Sequence, residues 1–344
     1  MKDNRFLTMG IESSCDETAI SIVADGREIL SNVISSQINI FINYGGVVPE
    51  IASRNHLENI NWVMDEALKK AGVTLDDIDL IGVTYGPGLE GALLMGVAHA
   101  KAVAFSKDIP LVGVHHIMGH ISANYLEHKE LEPPFMALVT SGGHTEICDI
   151  RSYTDCEIIG TTRDDAIGEA FDKVARVLAL GYPGGPKVDR LAREGNPDAI
   201  NFKRVYLEKG TFDFSFSGIK TQVLNYVNTE KQAGREIVKA DVAASFTQAV
   251  MDVLRDKTRD AVKMRHAKKL VLAGGVAANS KLREMLGSLA SEMGFELFIP
   301  SNILCTDNGA MIASYAYYKY MSDGPDALDL ETKTTQDMKK ERRK

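Results

Sequence analysis

Leu111-Val-Gly-Val-His-His-Ile-Met-Gly-His120 is the stretch on which the reading of this chain turns. Residues 111–114 have the unbroken apolar character of a buried strand, and three histidines follow at once. His116 and His120 stand four apart. A helix beginning there brings both imidazoles onto one face, one turn apart, which suits two ligands of one metal ion. A lone HxxxH is more often a pair of surface histidines at a helix start. Here three of the chain's eight histidines crowd together, at the carboxyl end of a strand, where α/β folds build their sites. The sequence therefore favours a metal centre.

Working outward, 344 residues are too many for one hydrophobic core and point to two domains. With 44% hydrophobic and 25% charged residues, the composition is that of a soluble globular protein. No apolar run approaches the ~20 residues of a membrane helix, and the first six residues lack the apolar core of a signal peptide. Cys15, Cys148, Cys156 and Cys305 are scattered without CxxC spacing, so the expected location is the reducing cytoplasm. The net charge of −8 argues against a chain that grips nucleic acid unaided.

Along the chain, residues 6–11, 19–23 and 29–34 read as strands, and Asp25-Gly26 as a tight turn. Pro49 opens a helix whose apolar stripe is Leu57, Ile60, Met64, Ala67 and Leu68. A strand at 79–84 runs into Gly86-Pro-Gly-Leu-Glu-Gly91 and a helix through Leu94, Val97, Ala98 and Val103. The 111–114 strand and the histidine helix follow, to about residue 128. Residues 130–134, with two prolines, are the expected linker. The second half repeats the order: strands at 135–139, 146–150 and 156–161, a largely helical insertion over 165–267, a strand at 269–273 ending in Gly274-Gly-Val-Ala-Ala-Asn279, a helix, and a strand at 296–299. A helix from Asp307 to about 321 and a polar, disordered tail from 322 complete it.

The repeat predicts two lobes: residues 1–130 completed by the helix at 307–321, and residues 131–306 carrying the insertion. Two polar turns, 12–18 and 140–145, and two glycine loops would line the cleft between them. Backbone amides there favour an anion, and a nucleotide is the natural ligand.

Gly10-Ile-Glu-Ser-Ser-Cys-Asp-Glu-Thr18, Gly86-Pro-Gly-Leu-Glu-Gly91, His115-His-Ile-Met-Gly-His120, Ser141-Gly-Gly-His-Thr145 and Asp307-Asn-Gly309 resemble the motifs of the TsaD family. These are the transferases of tRNA N(6)-threonylcarbamoyladenosine synthesis, formerly called O-sialoglycoprotein endopeptidases. Asp165-Ala-Ile-Gly-Glu-Ala-Phe-Asp-Lys-Val-Ala175 and Phe214-Ser-Phe-Ser-Gly-Ile-Lys220 add to the likeness, which spans about residues 6–321 and is greatest to the bacterial form. The resemblance implies an α/β fold of two actin-like ATPase (ASKHA, RNase-H-like) lobes with a cleft between them. It implies one divalent metal, Fe2+ or Zn2+, on His116, His120 and Asp307. It implies that Val139, Thr140, Ser141, Gly142, Gly143, Asp172, Gly185, Asp189 and Asn279 contact threonylcarbamoyl-AMP. It also implies tRNA as acceptor, TsaB-like and TsaE-like partner subunits, and a TsaC-like enzyme supplying the adenylate. By composition alone Asp307 and Asn279 read as helix caps, and Asp172 and Asp189 as solvated helix-surface carboxylates.

No general base stands out; Glu12 and Asp16, in the first cleft turn, are the candidates. A zinc peptidase of the HExxH type needs a glutamate directly after its first histidine, and here Ile117 and Met118 stand there. A sugar or acetate kinase of the same fold has no need of clustered histidines, and a silent scaffold would have no need of the His-His-Asp set. For RNA contact the candidates are Lys107, Lys129, Lys220 and the Lys339-Lys-Glu-Arg-Arg-Lys344 tail.

Overall fold

The structure, a computed structural model, describes residues 5–208 and 210–335. Its elements are β1 (Leu7–Glu12), β2 (Glu17–Ala24), β3 (Glu28–Ser36), α1 (Ile38–Phe41), α2 (Pro49–Ala71), β4 (Leu80–Gly86), α3 (Glu90–Lys107), β5 (Leu111–His115) and α4 (His116–Glu127). There follow β6 (Phe135–Thr140), β7 (Thr145–Ile150), β8 (Cys156–Thr161), α5 (Ile167–Val177), α6 (Gly184–Ala192), α7 (Ser217–Gln232) and α8 (Lys239–Arg265). The last are β9 (Lys269–Ala273), α9 (Ser280–Met293), β10 (Glu296–Phe298), α10 (Asn302–Cys305) and α11 (Gly309–Asp323).

The chain forms two compact units, Met1–Pro134 with Ile150–Glu157 and Pro300–Lys344, and Phe135–Asp149 with Ile158–Ile299. The boundary thus falls a few residues after the expected one at 130. Residues 300–306, expected with the second lobe, belong to the first unit, as does the connection between β7 and β8. Each unit holds one five-stranded sheet, ordered β3-β2-β1-β4-β5 in the first and β8-β7-β6-β9-β10 in the second. The two orders are the same, so the repeat read from the sequence is a repeat of topology.

In the first unit β1 pairs antiparallel with β2 and parallel with β4, and β4 pairs parallel with β5. Strand alternation sorts side chains by face. Met9, Ile11, Ile81 and Val83 join Ile60, Val63 and Val97 of α2 and α3 in one core. Gly10 and Gly82 face the other way and admit α11: a Cβ at Gly10 would lie 2.1 Å from the Gly309 carbonyl oxygen, and one at Gly82 2.4 Å from Ala316 Cβ. The buried length of α11, from Gly309 to Ala316, therefore lies directly on the central strands.

Pro49 opens α2 as expected, but the buried face is Ala52, His56, Ile60, Val63, Ala67 and Leu68; Leu57 is exposed. In α3 the buried face is Ala92, Leu93, Gly96, Val97, Ala100, Val103 and Ala104, while Leu94 and Ala98 point outward. The expected polar tail is also corrected: Ser322 and Asp323 finish α11, and the chain then returns along β5 and the glycine loop. The Asp326 amide donates to Leu111 O at 2.8 Å, and Asp326 Oδ2 accepts from the Gly113 amide at 2.8 Å. Leu330 packs on the first-unit core, and the Lys333 amide donates to Tyr85 O. The basic run at 339–344 lies outside the described residues. Among the described residues no helix is long and apolar enough to cross a membrane.

Candidate metal centre and phosphate-side turn

The histidine helix begins where β5 ends. His115 closes the strand and His116 is the first residue of α4, so His116 and His120 share a helical face. Their rings stand edge to face with centroids 4.6 Å apart. Asp307 arrives from the other end of the chain, two residues before α11. His120 Nε2 lies 3.2 Å and His116 Nε2 3.5 Å from Asp307 Oδ1. Asp307 is not a helix cap: Asn308 caps α11, its side-chain oxygen accepting from the Met311 amide at 3.0 Å. His115 is buried at the strand end and is not part of this donor cluster.

The donor set fits a metal. Each residue offers one ligand atom, and these atoms lie within 4.8 Å of one another. Two ligands about 2.0–2.1 Å from a tetrahedral ion stand about 3.3 Å apart, which is the separation seen between the histidine nitrogens and Asp307 Oδ1. Three protein donors leave coordination positions open, the pattern of a catalytic rather than a closed structural site.

Glu12 explains the orientation of His116. Its carboxylate is fully enclosed. Oε2 accepts from His116 Nδ1 at 3.0 Å and from Thr84 Oγ1 at 2.6 Å, and Oε1 accepts from the Ser14 amide at 2.5 Å. A carboxylate placed so behind a histidine fixes its ring and leaves Nε2 turned toward Asp307, the arrangement found behind metal-ligating histidines. Glu12, one of the two general-base candidates read from the sequence, thus has both oxygens engaged with His116, Thr84 and the Ser14 amide. Asp16 is buried in the same turn, next to Cys15 and Glu17.

Charge is finely balanced here. Burial pulls His116 toward neutrality, but Glu12 and Asp307 outweigh it and raise its pKa to about 9. Burial likewise favours protonation of Asp307, yet the two histidines hold it down to about 2. Without metal, His116 is therefore protonated at neutral pH and Asp307 ionised. A metal ligand must be neutral imidazole, so binding expels the His116 proton. Zn2+ affinity is expected to rise by about tenfold per pH unit from about pH 6.5 toward 9, then level off, with Asp307 adding no slope in that range. Competition against a chromogenic chelator across that range checks it; a flat profile contradicts the His116 assignment.

The other nine residues all lie in the second unit. Val139 and Thr140 end β6 beside Ala273 of β9, and Thr140 Oγ1 donates to Ala273 O at 3.3 Å. Gly274, at φ +91°, crosses so near that a Cβ would lie 2.4 Å from Thr140 O. The Ser141 carbonyl accepts from the Gly168 amide at the start of α5, at 3.2 Å. Gly142 and Gly143 are exposed, with nothing within 4 Å of where a side chain would begin. Farther along α5, Asp172 Oδ1 accepts from the amides of Gly184 and Gly185 at 2.8 and 3.2 Å. On α6, Asp189 accepts from Ser280 Oγ at 2.8 Å, also pairing with Arg193. Asn279 caps α9 through the Leu282 amide at 3.0 Å. Asp172 and Asp189 are thus not solvated surface carboxylates, whereas the cap reading of Asn279 holds. Sequence reasoning missed Ser14, Thr84 and Ser280, and reached Glu12 only by its place in the first turn; a ligating histidine's need for a carboxylate behind it is the signal that could have linked Glu12 to His116.

Of the lysines read as RNA contacts, the three among the described residues make contacts within the protein. Lys107 pairs with Asp76 at 2.8 Å and Lys220 with Asp165 at 2.9 Å, and Lys129 donates to the Arg27 carbonyl.

Comparison with known proteins agrees with this architecture. The chain covers 94% of its length on full-length HypF in its phosphate- and nucleotide-bound form, with TM-score 0.63 at 17% identity over 57% of that protein. It covers 92% on component A of (R)-2-hydroxyglutaryl-CoA dehydratase from Acidaminococcus fermentans, with TM-score 0.54 at 16% identity over 99% of that chain. At such identities these likenesses show the fold alone: an ASKHA-type ATPase fold. In sequence, the tRNA N6-adenosine threonylcarbamoyltransferase of Clostridium perfringens (strain 13 / Type A) is 58% identical, covering 95% of this chain and 96% of its own. That of Clostridium botulinum (strain Kyoto / Type A2) is 57% identical, covering 94% and 95%. The family model "TsaD: tRNA N6-adenosine threonylcarbamoyltransferase" matches residues 28–314, and the chain belongs to that family.

Proposed function

We propose that this chain transfers a threonylcarbamoyl group from threonylcarbamoyl-AMP to the exocyclic N6 of the adenosine just 3′ of the anticodon in tRNAs reading codons that begin with adenine. The observation that carries the reading is the convergence of His116, His120 and Asp307, with Glu12 behind His116, in a chain of this family.

The acceptor amine is a poor nucleophile because its lone pair is delocalised into the purine. The donor is a mixed anhydride of a carbamic acid and AMP, whose reaction needs its carbonyl polarised and its leaving phosphate neutralised. A divalent ion, Fe2+ or Zn2+, held by His116, His120 and Asp307 would supply Lewis-acid polarisation and charge neutralisation. The protein's own part is orientation. Glu12 and Ser14 hold the His116 ring. The open backbone of Ser141, Gly142 and Gly143, with Val139 and Thr140 behind it, offers amides to an anionic group of the adenylate. Asp172 fixes Gly184 and Gly185 at the start of α6, and Asp189 holds Ser280, the residue after Asn279. Asp16 is the carboxylate we assign as candidate base.

We further propose that TsaB-like and TsaE-like subunits complete the RNA-binding surface in the cytoplasm, with a TsaC-like enzyme supplying the adenylate. The support is electrostatic: a chain of net charge −8, three of whose candidate RNA-contacting lysines are already engaged, neutralises few phosphates. Filter binding of tRNA across a salt series should give weak affinity and a shallow slope for the chain alone, since each neutralised phosphate contributes about 0.7–0.9 to the slope. Adding the partners should steepen the slope and raise transfer. Tight binding and repeated turnover by the chain alone at physiological salt would refute the partner assignment, while His116, His120 and Asp307 variants test the transfer reading itself.

A further inference from the structure

His56 is a buried histidine outside the His116–His120–Asp307 cluster, seated on the buried face of α2 and fully shielded from solvent. Its two ring nitrogens both reach the turn between β1 and β2. Nε2 lies 3.0 Å from the Cys15 carbonyl oxygen, and Nδ1 lies 2.7 Å from Thr18 Oγ1. A carbonyl can only accept, so Nε2 carries the proton. The neutral ring then accepts the Thr18 hydroxyl proton at Nδ1. Burial depresses the pKa of His56, against the smaller opposing pull of the Cys15 carbonyl, Glu12 and Asp16, which keeps this tautomer neutral.

These two bonds fix both ends of the segment from Cys15 to Thr18, and so the course of the turn that Ser13 and Ser14 open. Ser14 is where the turn meets the candidate metal centre. Its hydroxyl lies 3.2 Å from His116 Nδ1 and its amide donates to Glu12. Its carbonyl accepts from the Leu89 amide at 2.8 Å, in the glycine loop. Ser13 Oγ donates to Ala92 O at 2.9 Å, and the Asp16 carbonyl accepts from the Gln37 amide at 2.9 Å. The turn is held from three sides, and on the α2 side it is held by one titratable side chain making two bonds.

We infer that His56 is a positioning residue of the transferase centre, bracing the Ser13–Thr18 turn so that Ser14 and Glu12 hold the His116 ring toward the metal. The inference rests on the assignment of His116 as a metal ligand. It predicts an effect on the metal site by a residue that touches neither metal nor substrate. Loss of an outer-shell support weakens metal affinity or activity by roughly 10–100-fold.

The test measures Zn2+ affinity of the purified full chain by chelator competition, beside urea unfolding, for wild type and for His56→Ala, His56→Gln and His116→Ala. Gln keeps one donor and one acceptor for Cys15 and Thr18. The expected result is one tight Zn2+ site in wild type, loss of that site in His116→Ala, a roughly 10–100-fold weaker site in His56→Ala, and recovery to within a few-fold in His56→Gln even where the unfolding midpoint stays lowered. Wild-type affinity in His56→Ala, with the site still lost in His116→Ala, overturns the bracing role and leaves the metal assignment standing. So does weakened binding that His56→Gln fails to restore, since the effect would then follow packing rather than the two bonds. Unaltered binding in His116→Ala overturns the ligand assignment and the bracing role with it. If His56→Ala does not fold, the comparison of His56→Gln with wild type decides: affinity within a few-fold supports the brace, and affinity weakened by tenfold or more overturns it.

Discussion

Asp307→Asn is expected to remove stoichiometric metal from the protein and to abolish threonylcarbamoyl transfer while leaving a cooperatively folding chain. Asn is nearly the same shape and can still sit before the Asn308 cap, which holds α11 through the Met311 amide. What it removes is the anionic oxygen at 3.2 and 3.5 Å from the two imidazole nitrogens. The loss should exceed the roughly 10–100-fold that removal of an outer-shell partner costs, because a ligand itself is gone. His116→Ala should remove metal and activity too, with an added penalty to the fold. It strands the Glu12 carboxylate, fully buried, without its cationic partner, and breaking one side of a buried ion pair costs about 3–5 kcal/mol. The two variants thus separate catalysis from stability: equal loss of metal, unequal loss of urea resistance. Metal analysis and single-turnover transfer check the first expectation and equilibrium unfolding the second. Full activity of either variant after exhaustive chelation would end the metal reading.

What the sequence made legible was local. Strands β1, β5, β6 and β9 could be read because each is a short, mostly apolar run bounded by turn residues, and the helix after His115 because its spacing is helical. The two candidate histidine ligands could be read for the same reason, being four apart on one helix. Asp307 could not be reached by spacing. It joins His116 only because α11 lies back across β1 and β4, and the family resemblance alone brought it forward. The phases of α2 and α3 were misjudged at Leu57, Leu94 and Ala98 because apolar residues occur on both faces of these helices, and only packing against the sheet decides which face is inside. The return of residues 324–335 was read as a polar tail since its anchors are mostly polar or backbone groups, among them Asp326, Thr332 and Lys333, with Leu330 packing on the core. The ion pairs of the candidate lysines with Asp76 and Asp165 could not be read either, because Lys107 and Asp76, and Lys220 and Asp165, lie far apart in sequence.

Gly10→Ala is expected to be among the most destabilising single changes in the first unit, although it adds one methyl group. The added Cβ would lie 2.1 Å from Gly309 O, 2.4 Å from the Ala313 amide nitrogen and 2.8 Å from Ala313 Cβ. Two of these neighbours are backbone atoms of α11, so no side-chain rotation relieves the clash; the helix must move off the sheet. Overpacking a core typically costs about 1–3 kcal/mol, and this rigid site should sit at or above the top of that range. Gly309→Ala should behave alike, since its Cβ would lie 2.6 Å from the Ser21 amide nitrogen and 2.7 Å from Gly10 O. The consequence reaches the metal centre because Asp307 is carried by the same helix start: lifting α11 from β1 draws its carboxylate away from His116 and His120. Gly10→Ala is therefore expected to lower the urea midpoint and weaken Zn2+ binding together. Gly142→Ala, whose Cβ meets nothing within 4 Å, should leave both unchanged. Unfolding curves and chelator competition on the three variants decide the matter: a Gly10→Ala protein as stable as wild type would mean that α11 does not rest on β1 as closely as the structure has it.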